Sequence, residues 1–525
     1  MTAANTPPRR YPIGIQTFEK VREDGYLYVD KTDLVYRLAH GSGNTYFLSR
    51  PRRFGKSLLL STMQAYFEGR RELFAGLAVE SLESEWESFP VIRLDLSTVK
   101  TTDLAQLSIL LDWVLAGQEK RWGRDEAART PGSRLGSLIQ RACAQTGRQV
   151  VVLIDEYDAP LLSVVHDPAL LQAFRETMRE FYAPLKACDE YLRFVFLTGI
   201  TKFSQLSIFS ELNNIQNISM APEYASICGI TEEELVGPMA PDLKAFSAKA
   251  GVSPDEGLAM LKRHYDGYHF CEESPDIYNP FSLLSALSWG RINSYWFGSG
   301  TPTFLINLMN RHGWDIAGLE GCTAREAAFD APAERLDTPL PMLYQGGYLT
   351  IKGYDPRRRA YTLGIPNEEV RQGLSESLVQ HAAPEALQEH YGFLDRFADH
   401  LLVDRSLEDA LAALCSYLAG IPYHLGSHDE RGFQTTFFLI FDLLGIQIDT
   451  EFKTATGRVD AVVRTDDDIY VLEFKYDKTP EEALAQIGEK GYMVPFEADG
   501  RRLVKAGVNF SSETRTVEGW IIEVA

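Results

Sequence analysis

Short apolar runs separated by amphipathic stretches dominate the N-terminal part of the chain. Four such runs lie at 45–49, 91–96, 149–154 and 191–198. Continuous apolar runs of this length are typical of strands that are buried on both faces, as in a parallel sheet covered by helices. The pattern therefore predicts an α/β fold with a parallel sheet in this part of the chain.

A helical pattern takes over from about residue 229, where Thr231 is a suitable N-cap. Further on, 340–354 reads as a short helix leading to a strand, and 360–366 as the strand that returns. A helix followed by a hairpin is typical of a winged helix. The tip of this hairpin carries three basic residues, Arg357, Arg358 and Arg359. Two interpretations stay open: these side chains contact a DNA backbone, or they cover the solvated wing of a packing module.

A β-hairpin is predicted near the C-terminus, where 458–464 and 469–475 flank a polar turn. Because side chains alternate along a strand, Glu473 and Lys475 share one face and Phe474 points to the other, into a core. Helices are predicted on both sides of the hairpin in the sequence, at 432–445 and from Pro480, and a helical connection precedes them at 385–415.

The strand predicted at 45–49 runs into a loop that suits phosphate binding. The loop ends in a Gly-Lys-Ser sequence, and an apolar helix follows it at once. Strand, loop, Gly-Lys-Ser and helix form the context of a P-loop, whose N–H groups face the phosphates. We expect ATP at this loop, with Lys56 reaching the β and γ oxygens and Ser57 ligating Mg²⁺. The predicted nucleotide-binding residues here are Arg53, Phe54, Gly55, Lys56 and Ser57.

The loop departs from the P-loop consensus at one position. The consensus begins with glycine, and Arg50 stands there in this chain. Its side chain must point away from the phosphates, or the loop must be wider than usual.

Two further apolar runs end in residues that suit nucleotide hydrolysis. The run at 149–154 is followed by Asp155 and Glu156, as in a Walker B strand. We expect Asp155 to orient Mg²⁺ and Glu156 to polarise the attacking water. Thr198 ends the next apolar run, where ATPases of the AAA class carry a polar sensor of the γ-phosphate. An ordinary strand end followed by a capped helix is the alternative interpretation of the acid pair.

The C-terminal hairpin carries a second candidate site. Asp460 lies on its first strand, and Glu473 and Lys475 lie on its second. Two carboxylates that converge at strand ends can hold Mg²⁺, and a neighbouring lysine can position a water. A hairpin whose charges are merely solvated is the alternative.

The order helix, strand, strand with Asp460, strand with Glu473 and Lys475, then helix resembles the PD-(D/E)xK nuclease superfamily. The resemblance implies a restriction-endonuclease-like α/β/α fold, with these three residues as the catalytic trio. Glu430 matches the helical acid of many members, and Gln486, with Tyr492, matches an element after the core.

Longer stretches look like the bacterial AAA-ATPase-like proteins that carry a C-terminal PD-(D/E)xK nuclease domain. In that family arginine is the usual residue at position 50. The similar stretches include 11–15, 28–32, 49–57, 198–204, 209–214, 265–268 and 278–281. The resemblance implies an AAA-like ATPase domain at 11–228, a helical lid and winged-helix-like region at 229–384, and a helical connection with the nuclease-like domain at 385–525.

Composition bears on the expected partners and on the cellular compartment. The net charge of −21 weighs against nucleic-acid binding by bulk charge, although Arg501, Arg502 and Lys505 could line a phosphate path if they are not simply a solvated turn. No run of about 18 apolar residues and no signal peptide are seen, and the six cysteines show no pairing pattern. We therefore expect a cytoplasmic protein that does not insert into a membrane.

The sequence thus predicts an ATP-binding and ATP-hydrolysing enzyme fused to a Mg²⁺-dependent nuclease that acts on DNA, in defence or mobile-element processing. The rival hypothesis is a nucleotide-gated signalling or scaffold ATPase whose nuclease fold is silent. The sequence leaves homo-oligomerisation open and does not separate DNA from RNA, because the trio contacts phosphate and not the 2′-hydroxyl.

Overall fold

The computed structural model describes residues 9–202, 215–297, 305–306, 308–309, 312, 316–331, 337–382, 387–419, 440, 447–454, 457–514 and 516–524. The chain divides into two compact units. The first comprises Met1–Leu308 with Gly321–Glu369, and the second Met309–Glu320 with Val370–Ala525. The three-part division predicted from the sequence is finer than these units and stays a prediction.

A parallel sheet of five strands forms the centre of the first unit and confirms the predicted fold class. Its order is β2-β3-β4-β1-β5, with every pair parallel. The strands are β1 (Thr45–Ser49), β2 (Val91–Asp95), β3 (Val150–Asp155), β4 (Leu192–Gly199) and β5 (Gln216–Asn217). The apolar runs became central strands because both of their faces are covered, and every residue of β3 is buried.

Helices cover both faces of this sheet. The apolar faces of Leu104–Trp122, Pro131–Thr146 and Pro168–Tyr182 pack on one side, and Lys56–Phe67 packs on the other. The remaining helices of the region up to β5 are Phe18–Glu23, Thr32–Ala39, Ala78–Leu82, Ala159–Ser163 and Pro184–Ala187. Because β1, β3 and β4 are parallel, the loops after their carboxyl ends meet at one edge of the sheet, where nucleotides bind in folds of this kind.

The rest of the first unit is mostly helical, as the sequence predicts. Thr231 caps its first helix, with its hydroxyl accepting a bond from the Glu234 backbone N–H. The helices are Glu232–Val236, Ala240–Ala250, Pro254–Tyr265, Pro280–Trp289, Glu326–Phe329 and Leu340–Gly346. The short strands β6 (Ile230–Thr231) and β7 (Ile277–Tyr278) pair with each other.

The winged-helix-like element is present as the helix Leu340–Gly346 with a three-stranded antiparallel sheet, one strand of which precedes the helix and two of which follow it. Strands β8 (Cys322–Ala324), β9 (Thr350–Asp355) and β10 (Ala360–Gly364) form it in the order β8-β10-β9. The tip arginines 357–359 are exposed, so their contact with a DNA backbone stays a prediction.

The second unit is built on a mixed sheet of five strands with helices on both faces. The strands follow chain order, and only β13 and β14 are parallel. They are β11 (Gln447–Lys453), β12 (Arg458–Arg464), β13 (Asp468–Tyr476), β14 (Arg502–Phe510) and β15 (Val517–Val524). The helices are Ile316–Leu319, Glu368–Ala382, which begins in the first unit, Leu387–Ala398, Leu407–Ala419 and Pro480–Glu489.

Alternation along β13 explains the layers of the second unit. Tyr470, Leu472 and Phe474 belong to the core shared with Leu387–Ala398 and Leu407–Ala419. Ile469 and Val471 face the opposite layer, which contains the helix Pro480–Glu489. The predicted orientation of Phe474 into a core is therefore confirmed. None of the described helices is both long and apolar enough to cross a bilayer.

Candidate functional site

The predicted phosphate-binding loop, residues 50–55, connects β1 to the helix Lys56–Phe67. Gly55 is the N-cap of that helix and takes a φ of 93°, which glycine adopts without strain. Arg53 also has a positive φ, 65°, and its guanidinium lies 4.6 Å from the centre of the Phe281 ring. Left-handed residues just before a helix turn successive N–H groups towards one point, and such a concavity binds anions.

Lys56 is folded back into this loop. Only 3% of the residue is exposed, and its Nζ donates to the carbonyls of Arg50 (3.1 Å) and Pro51 (3.2 Å). The same Nζ lies 3.4 Å from a carboxylate oxygen of Glu156. The structure thus brings together the predicted phosphate-binding lysine and the predicted hydrolytic acid.

Asp155 and Thr198 meet at the ends of neighbouring strands. The Thr198 hydroxyl donates to the Asp155 carboxylate at 2.8 Å, and both residues are buried. Arg93 links them to the loop, because its guanidinium donates to the Ser57 carbonyl at 3.2 Å and lies 3.9 Å from Asp155. Sequence reasoning missed Arg93, although a charged residue inside the apolar run at 91–96 was a usable signal.

Asp158 is a second residue that sequence reasoning missed. Its buried carboxylate accepts bonds from the Ile200 backbone N–H (3.1 Å) and from the Thr201 N–H and hydroxyl (both 2.7 Å). Burial, and then the nearby Glu156, raise the pKa of Asp158 to about 6. The carboxylate fixes the turn that follows Thr198, so it positions the end of β4, which carries the predicted sensor residue Thr198. Its place three residues after Asp155 was the only signal in the sequence.

Aromatic residues from far along the chain hold the phosphate-binding loop. Phe54 is buried against Tyr268 and Phe270, at ring-centre distances of 4.8 and 5.6 Å. The Trp296 indole N–H donates to the Arg52 carbonyl at 3.0 Å. The stretch around 265–268, which the sequence marked only as a similarity, therefore forms the wall of the loop.

The acid pair of the second unit lies on β12 and β13. The Asp460 carboxylate accepts a bond from the Phe474 backbone N–H at 2.8 Å. Glu473 Oε1 accepts from the Lys475 ammonium at 3.0 Å and from the Gln486 amide. The structure therefore brings together four of the predicted catalytic residues, Asp460, Glu473, Lys475 and Gln486. Glu473 and Lys475 share a face because side chains alternate along β13, and the helix Pro480–Glu489 adds Gln486.

Glu473 has one carboxylate oxygen that is left for a further positive partner. Only 2% of the residue is exposed, and its Oε2 has no hydrogen-bond donor in the described part of the chain. Burial, and then the negative charge of Asp460, raise the pKa of Glu473 to about 7. A divalent cation between the two acids would satisfy the orphan oxygen and offset the repulsion, so the donor set fits such an ion.

Gly507 allows the helix Pro480–Glu489 to approach this site. It pairs with Glu473 on the neighbouring strand. A Cβ atom at Gly507 would lie 2.2 Å from the Pro480 carbonyl oxygen and 2.6 Å from the Leu484 backbone nitrogen. The close packing lets Gln486 reach Glu473, and sequence reasoning missed it because the contact joins separate elements.

Other predicted residues have different outcomes. Glu430 lies outside the described residues, and so does the helix predicted at 432–445 except for Ile440, which is buried. Arg501 and Arg502 form ion pairs with Asp499 and Asp468, so these two side chains are engaged within the unit. No cluster of three or more His, Cys, Asp and Glu side chains is placed to hold a metal ion within the described ranges.

Two family models match the chain. A model described as a predicted AAA-ATPase matches residues 12–209. A model of the PD-(D/E)XK nuclease superfamily matches residues 428–520. The first match contains the phosphate-binding loop, Asp155 and Thr198, and the second contains Asp460, Glu473, Lys475 and Gln486.

A full-length relative is also found. A protein described as "Uncharacterized protein in vnfD 5′ region", from Azotobacter chroococcum mcd 1, is 35% identical over 530 residues, which cover 98% of this chain and 99% of the relative. A solved structure of the Aeropyrum pernix ORC1 protein in complex with DNA is similar at a TM-score of 0.23 and 13% identity, covering 66% of this chain and 93% of that chain.

Proposed function

Since the chain belongs to the family of bacterial AAA-ATPase-like proteins with a C-terminal PD-(D/E)XK nuclease superfamily domain, we propose that it binds and hydrolyses ATP and cleaves phosphodiester bonds in DNA with Mg²⁺. The observation that carries the nuclease proposal is the buried Glu473, which has one orphan oxygen, pairs with Lys475 through the other, and has Asp460 as an acidic neighbour. A role in defence or mobile-element processing is part of the proposal and rests on the sequence resemblance alone.

In the nuclease site each side chain has one task. Asp460 and Glu473 would hold the metal ion, which when bound would supply positive charge to the phosphate in the transition state. Gln486 fixes the Glu473 carboxylate through its amide. Lys475 already donates to Glu473 and can place the attacking water with its other N–H groups. Glu430 is proposed to complete the set of oxygen ligands.

In the nucleotide site the loop supplies N–H groups and a movable cation. A β or γ phosphate oxygen is a stronger partner for Lys56 than the two carbonyls that it now contacts. Transfer of Lys56 to the phosphate leaves Glu156 without its ion pair, and Glu156 can then polarise water. Ser57 and Asp155 would hold Mg²⁺ when nucleotide is bound, and the Thr198 hydroxyl orients Asp155.

A second candidate is a nucleotide-gated signalling or scaffold protein with a silent nuclease fold. It is favoured by the small number of metal ligands, since only two carboxylates meet at the site within the described residues. Such a protein would bind nucleotide and leave nucleic acid intact.

The experiment that separates the candidates is a cleavage assay on the purified full-length chain. Supercoiled plasmid and a structured RNA are incubated with Mg²⁺ or with EDTA, each with and without ATP. We expect nicking of the plasmid that requires Mg²⁺. Cleavage of RNA alone would correct the substrate, and intact nucleic acid in every condition, with ATP hydrolysis present, would favour the second candidate.

A further inference from the structure

Arg50 occupies the first position of the phosphate-binding loop with its side chain inside the protein. Only 1% of the residue is exposed. One terminal nitrogen donates to the carbonyls of Ser49 and Ser219, both at 2.8 Å, and the other to those of Tyr224 (3.1 Å) and Ala225 (3.3 Å). The guanidinium therefore ties the start of the loop to the segment that follows β5.

The guanidinium also lies over an aromatic ring. Its central carbon is 4.0 Å from the centre of the Phe270 ring, which is itself packed on Phe54 of the loop. Carbonyl oxygens and ring faces stabilise a cation by partial charges only. Among the described residues, the positive charge of Arg50 is thus solvated by dipoles and by no full negative charge.

A counter-ion for Arg50 is absent from the described part of the chain. No described carboxylate forms an ion pair with it. Asp330 lines the same small cavity, but its carboxylate is paired with Lys202. Burial lowers the pKa of Arg50, as expected for a cation without a balancing anion. The loop's other buried cation, Lys56, does have an acid partner in Glu156.

A buried charge without a counter-ion is unfavourable unless a ligand supplies one. The Arg50 carbonyl accepts a bond from Lys56 Nζ, so the Arg50 side chain begins at the residue next to the proposed phosphate site. A consensus glycine at this position would supply neither the charge nor the four carbonyl contacts.

We propose that the buried charge of Arg50 favours the binding of polyphosphate ligands. The chain would then select nucleotides by their number of phosphate charges. Arg50 acts at a distance and leaves direct phosphate contact to Lys56 and the loop N–H groups. The proposal rests on the nucleotide binding proposed above and adds the cause of its selectivity.

The test compares the affinities of ATP, ADP and AMP for the full-length protein by calorimetry at two salt concentrations. Arg50→Gln removes the charge, Arg50→Lys keeps it, and Arg50→Gly restores the consensus residue; Arg37→Gln, at an exposed arginine, is the control. We expect Arg50→Gln to weaken ATP about tenfold, ADP less and AMP least. Arg50→Lys should stay within about threefold of the wild type and keep the order.

Kinetics provide a second measurement. Arg50→Gln and Arg50→Gly should raise the KM for ATP with kcat changed by less than about twofold, because a buried distant charge stabilises bound substrate and transition state alike. Equal losses for all three nucleotides, or none, would overturn the inference and leave Arg50 as a brace of the loop.

Two controls keep the outcomes apart. Thermal unfolding checks that each variant is folded. If Arg50→Gln does not fold, the test uses Arg50→Lys. The inference is overturned if that variant no longer binds ATP more tightly than ADP, and ADP more tightly than AMP. A wild-type protein that binds no nucleotide would overturn the proposed ATPase itself, which is a different result.

Discussion

The phosphate-binding loop of the nucleotide site and the acid pair of the nuclease-type site both contain buried charge, but of opposite sign. In the first unit, Arg50 and Lys56 are buried cations surrounded mainly by carbonyl oxygens. In the second, Asp460 and Glu473 are neighbouring acids that accept bonds from N–H groups. Each site is therefore matched to a ligand of the other sign, an anion in one case and a cation in the other.

The two sites also differ in the sequence separation of the residues that form them. The acid pair, Lys475 and Gln486 lie within one hairpin and the helix after it. The phosphate-binding loop is held by 219–225, by Tyr268 and Phe270, and by Trp296, all far beyond it in sequence. Local periodicity can predict the first kind of site, whereas the second kind needs the tertiary structure.

The largest expected effect is on cleavage. Asp460→Ala removes a metal ligand and Lys475→Ala removes the group that places the water, so each should reduce Mg²⁺-dependent nicking about a thousandfold or more. ATPase activity, measured in parallel, should stay unchanged. Asp466→Ala, in the exposed turn of the same hairpin, and Lys478→Ala, exposed just after β13, are the matched controls. Nicking at the wild-type rate by both site variants would refute the assignment.

A substitution in the phosphate-binding loop should affect the binding of nucleotide and leave cleavage unchanged. Lys56→Ala removes a charge-assisted contact to the phosphates, so ATP affinity should fall roughly a hundredfold. Cleavage by this variant without ATP should equal that of the wild type under the same conditions. Lys100→Ala, at an exposed lysine, is the control. An unchanged affinity for ATP would remove the loop from the proposed mechanism.

The packing behind the acid pair should have a smaller effect. Gly507→Ala forces the helix Pro480–Glu489 away from its strand and moves Gln486 from Glu473, so cleavage should fall about tenfold. Gly519→Ala is the matched control, because a Cβ atom there lies 3.4 Å from its nearest neighbour, an ordinary contact. If the two alanine variants cleave equally well, the close approach of the helix is not needed.

The buried acid Asp266 belongs to neither set of proposed catalytic residues, and it provides a reference for the free-energy cost of burying charge. Both carboxyl oxygens of Asp266 lack hydrogen-bond donors within the described residues, and burial raises its pKa to about 7. The folded state therefore keeps a proton that the unfolded state loses above about pH 4. From this group, the free energy of unfolding should fall by about 1.4 kcal/mol per pH unit between about pH 4 and 7 and stay level above.

Asp266→Asn cannot titrate, so it should be more stable than the wild type at pH 8, and the difference should narrow as the pH is lowered to 5. Denaturant unfolding of the full-length protein at several pH values provides the measurement. Asp276→Asn, at an exposed aspartate of the same region, is the control. A difference that does not depend on pH would mean that Asp266 keeps its charge in the folded state.

Much of the fold followed from patterns local to the sequence. The buried strands β1 to β4, the hairpin of β12 and β13, and the common face of Glu473 and Lys475 were predicted because strand burial and alternation are properties of adjacent residues. For Arg50 the sequence left two possibilities, a side chain that points away from the phosphates or a wider loop, and the contacts of Arg50 with 219–225 agree with the first.

The missed residues share a physical cause. Arg93, Asp158 and Gly507 act through atoms of other strands or helices, and no spacing within their own segments reports those neighbours. The carbonyls around the Arg50 guanidinium were missed for the same reason, since three of the four come from the chain after β5. Long-range contacts of this type are visible only once the strand order is known.

The long reach of the contacts around the phosphate-binding loop has a consequence for biosynthesis. The loop is complete once residue 57 has been made, but its wall requires Phe270 and the cap on the Arg52 carbonyl requires Trp296. At roughly 5–20 residues per second, translation reaches Trp296 on the order of ten seconds or more after the loop. A nascent chain that carries every nucleotide motif should therefore pass through a period in which it cannot yet hold ATP firmly.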